Sequence, residues 1–297
     1  GMKTRVAFAL AASLAAAASA QAPDGAYGTL DVGLEGGGWA RVGRTSRNGT
    51  GRLSMTWYSE RLFDDGSPLS LQPFLQKVSA FGAELSGGGF STSDPGWPSS
   101  YTGDWFAAAA SVDHYLDRTF AIAAAASVER SETSGPVAAA FNPTYVLPRI
   151  SAGPGLRFGD TRFDVGYRYA PVIRDGEWNS RGWGRVYAGV DSVIARTLLL
   201  SLDASTLPSG ARAAAGFNFY YTPRFQLGAS FSFERGQIYF DEERVYTRLS
   251  PQADTSWWFT PRLRALASYR FLHTTSDAGT VAIDEHRFTA ALAVRLR

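Results

Sequence analysis

Along most of this chain apolar residues fall on every second position. In FQLGASFSFE, residues 225–234, Phe225, Leu227, Ala229, Phe231 and Phe233 alternate with Gln226, Gly228, Ser230, Ser232 and Glu234. A period of two puts each set on its own face of a β-strand. The same alternation recurs at Phe163, Val165, Tyr167 and Tyr169, at Val245, Thr247, Leu249 and Ala253, and at Phe288, Ala290, Leu292, Val294 and Leu296. It predicts fourteen strands, centred near residues 30, 55, 81, 109, 125, 151, 167, 188, 202, 216, 230, 250, 267 and 292.

The connections between these strands alternate in length. Short corners fall at Leu116 to Arg118, Gly159 to Thr161, Ala195 to Arg196, Tyr221 to Pro223 and Phe259 to Pro261. Longer loops rich in Gly, Ser, Asn and Asp are predicted at 36–50, 87–103, 132–142, 174–181, 235–243 and 273–285, with a short one near Leu207 to Ala211. The stretch RLFDDGSPLSLQPF, residues 61–74, breaks the rule, being long on the short-corner side. Two corners share a pattern: YYTPRF at 220–225 and WWFTPRL at 257–263. Transmembrane barrels combine tight turns on one side, longer loops on the other and aromatic girdles at both interfaces. Tyr220, Tyr221, Trp257, Trp258 and Phe259, with Tyr115 and Phe158, are therefore expected in the girdle beside the short turns. Arg118, Arg162, Arg196, Arg224 and Arg262 recur at these same corners. A soluble sandwich or lipocalin-like barrel turns its apolar faces inward, requires no aromatics at one set of turns and rarely holds so many strands. The predicted fold is all-β, a transmembrane up-and-down antiparallel barrel.

The first twenty residues follow a different rule. Lys3 and Arg5 precede an apolar run from Val6 to Ala18 and then Ala18-Ser19-Ala20, the order of a secretory signal peptide cut after Ala20. Gly1, ahead of Met2, is set aside as a remnant of expression. Residues 21–26 form a short lead-in, and 27–297 are expected to be a single barrel domain. There is no cysteine, hence no disulfide framework and no thiolate metal site. Lys and Arg number 29 against 27 Asp and Glu, and removing Lys3 and Arg5 leaves 27 of each. That balance argues against a nucleic-acid partner.

If the apolar set faces lipid, the alternate set faces a lumen. Its charged candidates are Arg149, Arg157, Arg168, Arg185, Arg212, Arg248, Arg264, Arg270, Asp164, Asp191, Asp203 and Glu234; Arg52, Arg287, Arg295, Asp31, Glu35, Glu84, Asp113, Glu129 and Asp254 share the parity. Two readings compete: an arginine ladder that draws anions along a pore, or cross-strand pairs that satisfy each other. The near balance of signs favours pairing. The tracts WFAAAASV (105–112) and FAIAAAASV (120–128) leave Ala107, Ala109, Ala121, Ala123 and Ala125 as a bare inner patch, either small filler in a β-context, which is favoured, or an opening for a folded-in loop or a partner. Trp97, Tyr101, Trp105, Trp178 and Trp183 are expected at the outer girdle.

Catalytic and metal chemistry find little support. The three histidines, His114, His273 and His286, have no metal-ligand spacing. A surface hydrolase would need His286 to meet Ser180 or Asp284, and no cofactor is implied. The 64–76 segment, with Pro68, Pro73 and an apolar Leu-Phe-Leu set, reads either as a dock for a periplasmic or envelope partner or as the start of the third strand.

On these features the chain resembles Gram-negative outer-membrane β-barrel proteins, porin-like and similar in strand number to the monomeric porin OmpG. It is unlike the fatty-acid transporter FadL, for few residues precede the first strand and no hatch domain fits. Such families commonly end in an aromatic residue, whereas this chain ends Ala-Val-Arg-Leu-Arg. The resemblance implies an outer-membrane location, lipid contact and a channel for small polar or anionic solutes. The competing expectation is a non-conducting barrel in a larger envelope machine for polysaccharide export, adhesion or surface motility.

Overall fold

The computed structural model describes residues 26–41, 44–93, 101–134, 144–174, 177–179, 184–207, 210–238, 241–276 and 282–296. The expected signal peptide lies outside them. The long strands are β1 (Ala26–Arg41), β2 (Arg44–Leu62), β3 (Ala80–Ser93), β4 (Tyr101–Tyr115), β5 (Phe120–Ser134), β6 (Thr144–Phe158) and β7 (Thr161–Tyr169). A small hairpin follows, β8 (Val172–Arg174) and β9 (Glu177–Asn179). The long strands resume as β10 (Gly184–Ile194), β11 (Leu198–Leu207), β12 (Gly210–Thr222), β13 (Phe225–Ile238), β14 (Asp241–Trp258), β15 (Leu263–Ser276) and β16 (Ala282–Leu296).

Each long strand pairs antiparallel with its neighbours in sequence, β7 with β10 across the small hairpin. The ring closes where β1 pairs with β16, from Gly28 opposite Leu296 to Trp39 opposite Glu285. The result is a closed barrel of fourteen strands. Closure leaves no edge and gives every strand two partners for its N–H and C=O groups. All fourteen predicted strand centres fall within these elements. The hairpin β8–β9 continues the edge of β6, Ile173 opposite Val146, in what was expected to be plain loop.

The expected long loops are shorter than their composition suggests. β1 runs to Arg41 and β2 begins at Arg44, so most of 36–50 is ladder, with Gly36 opposite Gly49 and Gly38 opposite Arg47. Ladder bonds come from the backbone, so Gly, Ser and Asn sustain a strand wherever both neighbours continue.

Alternation sorts the faces as a bilayer requires. Phe163, Val165, Tyr167 and Tyr169 of β7 are exposed outward, whereas Arg162 is buried and Asp164 half-buried. Leu200 and Leu202 of β11, Phe217 and Phe219 of β12, and Phe231 and Phe233 of β13 share the outer face. No helix among the described residues is long and apolar enough to cross a membrane. Replacing mid-strand Leu202 with Arg is expected to destabilise the barrel by about 2–4 kcal/mol, read by urea titration of folding into phospholipid bilayers. The same change at Ser232, on the inner face of β13, should cost well under half of that.

Candidate functional site

The long connection between β2 and β3, residues 63–79, does not hang into the periplasm. It turns back into the barrel and closes that mouth. The fold of the segment is local: Asp65 accepts from the Ser67 N–H at 3.1 Å and from its hydroxyl, while Gly66 takes φ 77°, a left-handed position suited to glycine. One helical turn, α1 (Gln72–Leu75), carries Pro73 in its first turn. Phe63 and Gln76 fasten the two ends, with Phe63 N–H donating to Gln76 Oε1 at 2.9 Å and Gln76 Nε2 donating back to Phe63 O at 2.6 Å.

The plug touches most of the circumference. Leu71 packs in one buried cluster with Val193 of β10 and Tyr220 of β12, and Phe74, Leu75 and Leu199 flank it. Leu69 N–H donates to Pro223 O at 3.1 Å, and Trp258 Nε1 of β14 to Ser70 Oγ at 3.1 Å. Arg295 of β16 donates to Gln72 Oε1 at 2.8 Å and to the Leu69 carbonyl. Arg157 of β6 donates to the Phe74 carbonyl and lies 4.2 Å over its ring, and Lys77 Nζ reaches Arg118 O at 3.2 Å. Gln72, at 0 % exposed, sits at the centre.

This arrangement corrects three of the girdle expectations, for the Tyr115 hydroxyl meets Arg157 and Arg162 on the inner face. Tyr221 (75 % exposed), Trp257 and Phe259 do face outward, with Trp257 stacked on Phe259 at 6.2 Å and edge-on to Phe225 at 5.7 Å. Tyr220 and Trp258, at 5 % and 3 % exposed, face inward beneath the plug. In each aromatic pair, neighbours on a strand must take opposite faces, and one of the two is claimed by the plug.

Above the plug lies a polar chamber of about 610 Å³, bounded by Phe74 below and by Asp113, Arg162, Asp164, Asp191, Asp203 and Arg212 on the wall. Arg162 holds Asp113 with both terminal nitrogens, at 2.6 and 2.9 Å, and Asp164 at 2.9 Å. A bidentate pair with a second carboxylate is a strong, directional anchor. Tyr115 OH accepts from Arg162 at 3.3 Å and from Arg157 at 3.4 Å, which joins this anchor to the plug.

No protein-family model matches the sequence, and no curated protein does. Among solved structures, the outer membrane protein Omp33 of Acinetobacter baumannii is similar at 12% identity and TM-score 0.52, over 93% of this chain and 100% of that one. The translocator domain of the autotransporter NalP from Neisseria meningitidis is similar at 15% and 0.55, over 99% and 96%. The Pseudomonas putida toluene transporter TodX is similar at 11% and 0.56, over 92% and 89%. The fold is that of a Gram-negative outer-membrane β-barrel.

The barrel distributes the predicted lumen charges unevenly. Arg149 pairs with Glu129 at 3.2 Å, Arg264 with Asp31 at 3.0 Å, and Arg157 with Asp160 at 3.7 Å. Arg248 donates to Thr274 Oγ1 at 3.2 Å and Arg270 to Gln252 Oε1 at 2.7 Å. Arg168 lies over the Tyr187 ring at 5.8 Å, and Arg185 stands opposite it on β10. Asp191 accepts from Ser201 Oγ at 2.5 Å, Asp203 and Arg212 line the chamber, and Glu234 lies between Arg212 and Arg248 in the ladder. Arg162, read from sequence as a corner residue, is the most heavily engaged of all. The signal that finds it is parity, since it shares the inward face with Asp164 and Arg168.

The remaining candidates do not meet. His286 bonds Tyr269 OH at 2.7 Å, whereas Asp284 bonds His273 at 2.6 Å, so His286 and Asp284 have different partners. Ser180, Trp97 and Trp183 lie outside the described residues, as do the side chains of Tyr101 and Trp178. Trp105 alternates with outward Phe106 and so takes the inner face, not the outer girdle. His114 bonds Ser79 Oγ at 3.1 Å, and no metal-ligating cluster occurs among the described residues.

Two outcomes test the plug's packing. Leu71→Ala removes a buried anchor worth about 2–3 kcal/mol; hydrogen exchange of the 63–79 amides should accelerate by on the order of 30-fold or more while the strands stay protected. Burial pushes the Asp65 carboxyl up, but the Ser67 hydroxyl and backbone donors outweigh it and hold the group below its ordinary value. A lowered folded pKa stabilises above the unfolded value of about 3.9 and is lost as pH falls through the lowered one. Exchange at the Asp65 turn should therefore quicken on acidification below about pH 4, and Asp65→Asn should already show the faster exchange at pH 7 and abolish the acid step.

Proposed function

We propose that the chain is a channel of the Gram-negative outer membrane for small polar solutes, closed at rest on its periplasmic side by residues 63–79. The observation that carries this reading is a chamber lined by charged side chains and ending on a plug whose chain joins the wall covalently only at β2 and β3. A polar interior is what a barrel that conducts requires, and a barrel sealed by side chains alone does not. Charge pairs on the wall leave little net field, which favours small polar solutes over strongly anionic ones. The neighbouring folds, among them a toluene transporter and an autotransporter translocator, support the membrane setting and leave the solute to the lumen's own chemistry.

The closed mouth also favours a second reading, a non-conducting barrel that serves a larger envelope machine. In that reading a partner would meet the segment on what it leaves outside, Phe63, Asp64 and Asp65, because Leu71, Phe74 and Leu75 of the 64–76 stretch are turned inward. Planar-bilayer recording separates the two. The wild-type barrel should show low or flickering conductance, and replacing residues 64–76 with a short Gly-Ser linker should raise it several-fold. A folded linker variant with no conductance above background would sink the channel and leave the machine component, which stoichiometric crosslinking in intact envelopes would then report.

A further inference from the structure

The wall opposite the β12–β16 side is hollowed by a cavity of about 430 Å³ spanning β2 to β7. Its size falls in the range of small-molecule sites. The ladder arranges its lining in two lateral rows. In one, Glu84, Ala109, Ser127 and Arg149 stand side by side across β3 to β6. In the next, Ser111, Ala125, Ser151 and Arg168 do the same across β4 to β7. A carboxylate therefore stands at one end and two guanidiniums at the other, with small side chains between. Four strand spacings and a two-residue step along the strands separate Glu84 from Arg168, on the order of 20 Å between backbones.

The pairing state of these charges selects the ligand. Glu84 makes no hydrogen bond or ion pair among the described residues. Arg168 faces the Tyr187 ring and meets no carboxylate there, while Arg149 is already tied to Glu129. Arg52 of β2 does not line the hollow, so the carboxylate of Glu84 and the guanidinium of Arg168 are the open charges facing it. A neutral sugar could bond the serines but would leave both ends unmatched. A simple anion would answer Arg168 and be repelled by Glu84, and a simple cation the reverse.

We propose that this cavity binds zwitterionic solutes of dipeptide size, with the ammonium on Glu84, the carboxylate on Arg168 and the peptide body over Ala109 and Ala125. Arg149, neutralised by Glu129, adds little net field at the carboxylate end. The proposal rests on the channel reading for its purpose, since the site would lie on the solute path, but binding itself requires no conduction.

Calorimetric titration of the full barrel in detergent with diglycine at pH 7, against maltose and acetate, tests it. Diglycine should bind and the other two should not. Glu84→Gln and Arg168→Gln should each weaken binding on the order of ten-fold or more, as loss of a charge-assisted bond does. Ala125→Leu, which fills the floor and alters no charge, should abolish it; heat-modifiable gel migration reports whether each variant is folded. Diglycine binding that survives either charge change or the filled floor, or equal binding of maltose, would overturn the site. A barrel that conducts once unplugged yet does not bind diglycine overturns the site alone. One that binds diglycine in this pattern but never conducts upholds the site and removes the channel.

Discussion

Hydrocarbon offers no hydrogen bonds, so every N–H and C=O at membrane depth must find its partner in the chain. The pairing of β1 with β16 meets that demand for the two strands that would otherwise be edges. Once the cylinder is closed, the pleat fixes everything else: each strand must present one face to lipid and one to the interior, and a shift by one residue would exchange the two. The outward run Phe163, Val165, Tyr167, Tyr169 and the inward run Arg162, Asp164, Gly166, Arg168 are two consequences of one register against β10.

The plug is the place where this rule reverses. Inside the periplasmic mouth the apolar residues Leu71, Phe74 and Leu75 face Val193, Leu199 and Tyr220, and form a small core within a barrel whose interior is elsewhere polar. Such a core is favourable only because the segment removes its leucines from water and at the same time gives its carbonyls to Arg157 and Arg295. A segment of this kind has few residues to bury and a small net stability, which is the regime in which a closure can be released without unfolding the wall.

The wall was legible in the sequence and the plug was not, for one physical reason. A strand in a bilayer has a local code, period two, and both its neighbours repeat that code, so FQLGASFSFE alone states its own fold. The 63–79 segment has no period. Its conformation is decided by Tyr220, Trp258 and Arg295, residues more than a hundred positions away, and nothing within DDGSPLSLQPFLQ marks them as partners. The doubled aromatics held half of the answer. Tyr220-Tyr221 and Trp257-Trp258 each place one ring on lipid and one indoors, and an inward aromatic at the mouth of a polar lumen implies something apolar to cover it. Arg162 was missed for the opposite reason: a corner motif, Thr-Arg after Gly-Asp, masked a residue whose parity already assigned it to the lumen.

Plug and chamber share residues, and this ties their energetics. Phe74 belongs to the apolar cluster of the plug and also floors the chamber. Arg157, which holds the Phe74 carbonyl, stands opposite Arg162 in the β6–β7 ladder, two cations on adjacent strands. They are kept compatible by Asp113 and Asp164 on Arg162, Asp160 beside Arg157, and the Tyr115 hydroxyl between them. Withdrawing the plug strips Arg157 of the Phe74 carbonyl and ring, and leaves a guanidinium beside another with the exposed Asp160 carboxylate, the Gly159 carbonyl and the Tyr115 hydroxyl to answer it. A solute group that approaches Asp113 or Asp164 draws on the same carboxylates that make the two arginines tolerable neighbours. In the channel proposed above, a solute in the chamber and the plug would act on one electrostatic cluster, and thermodynamic linkage would then have each bias the other.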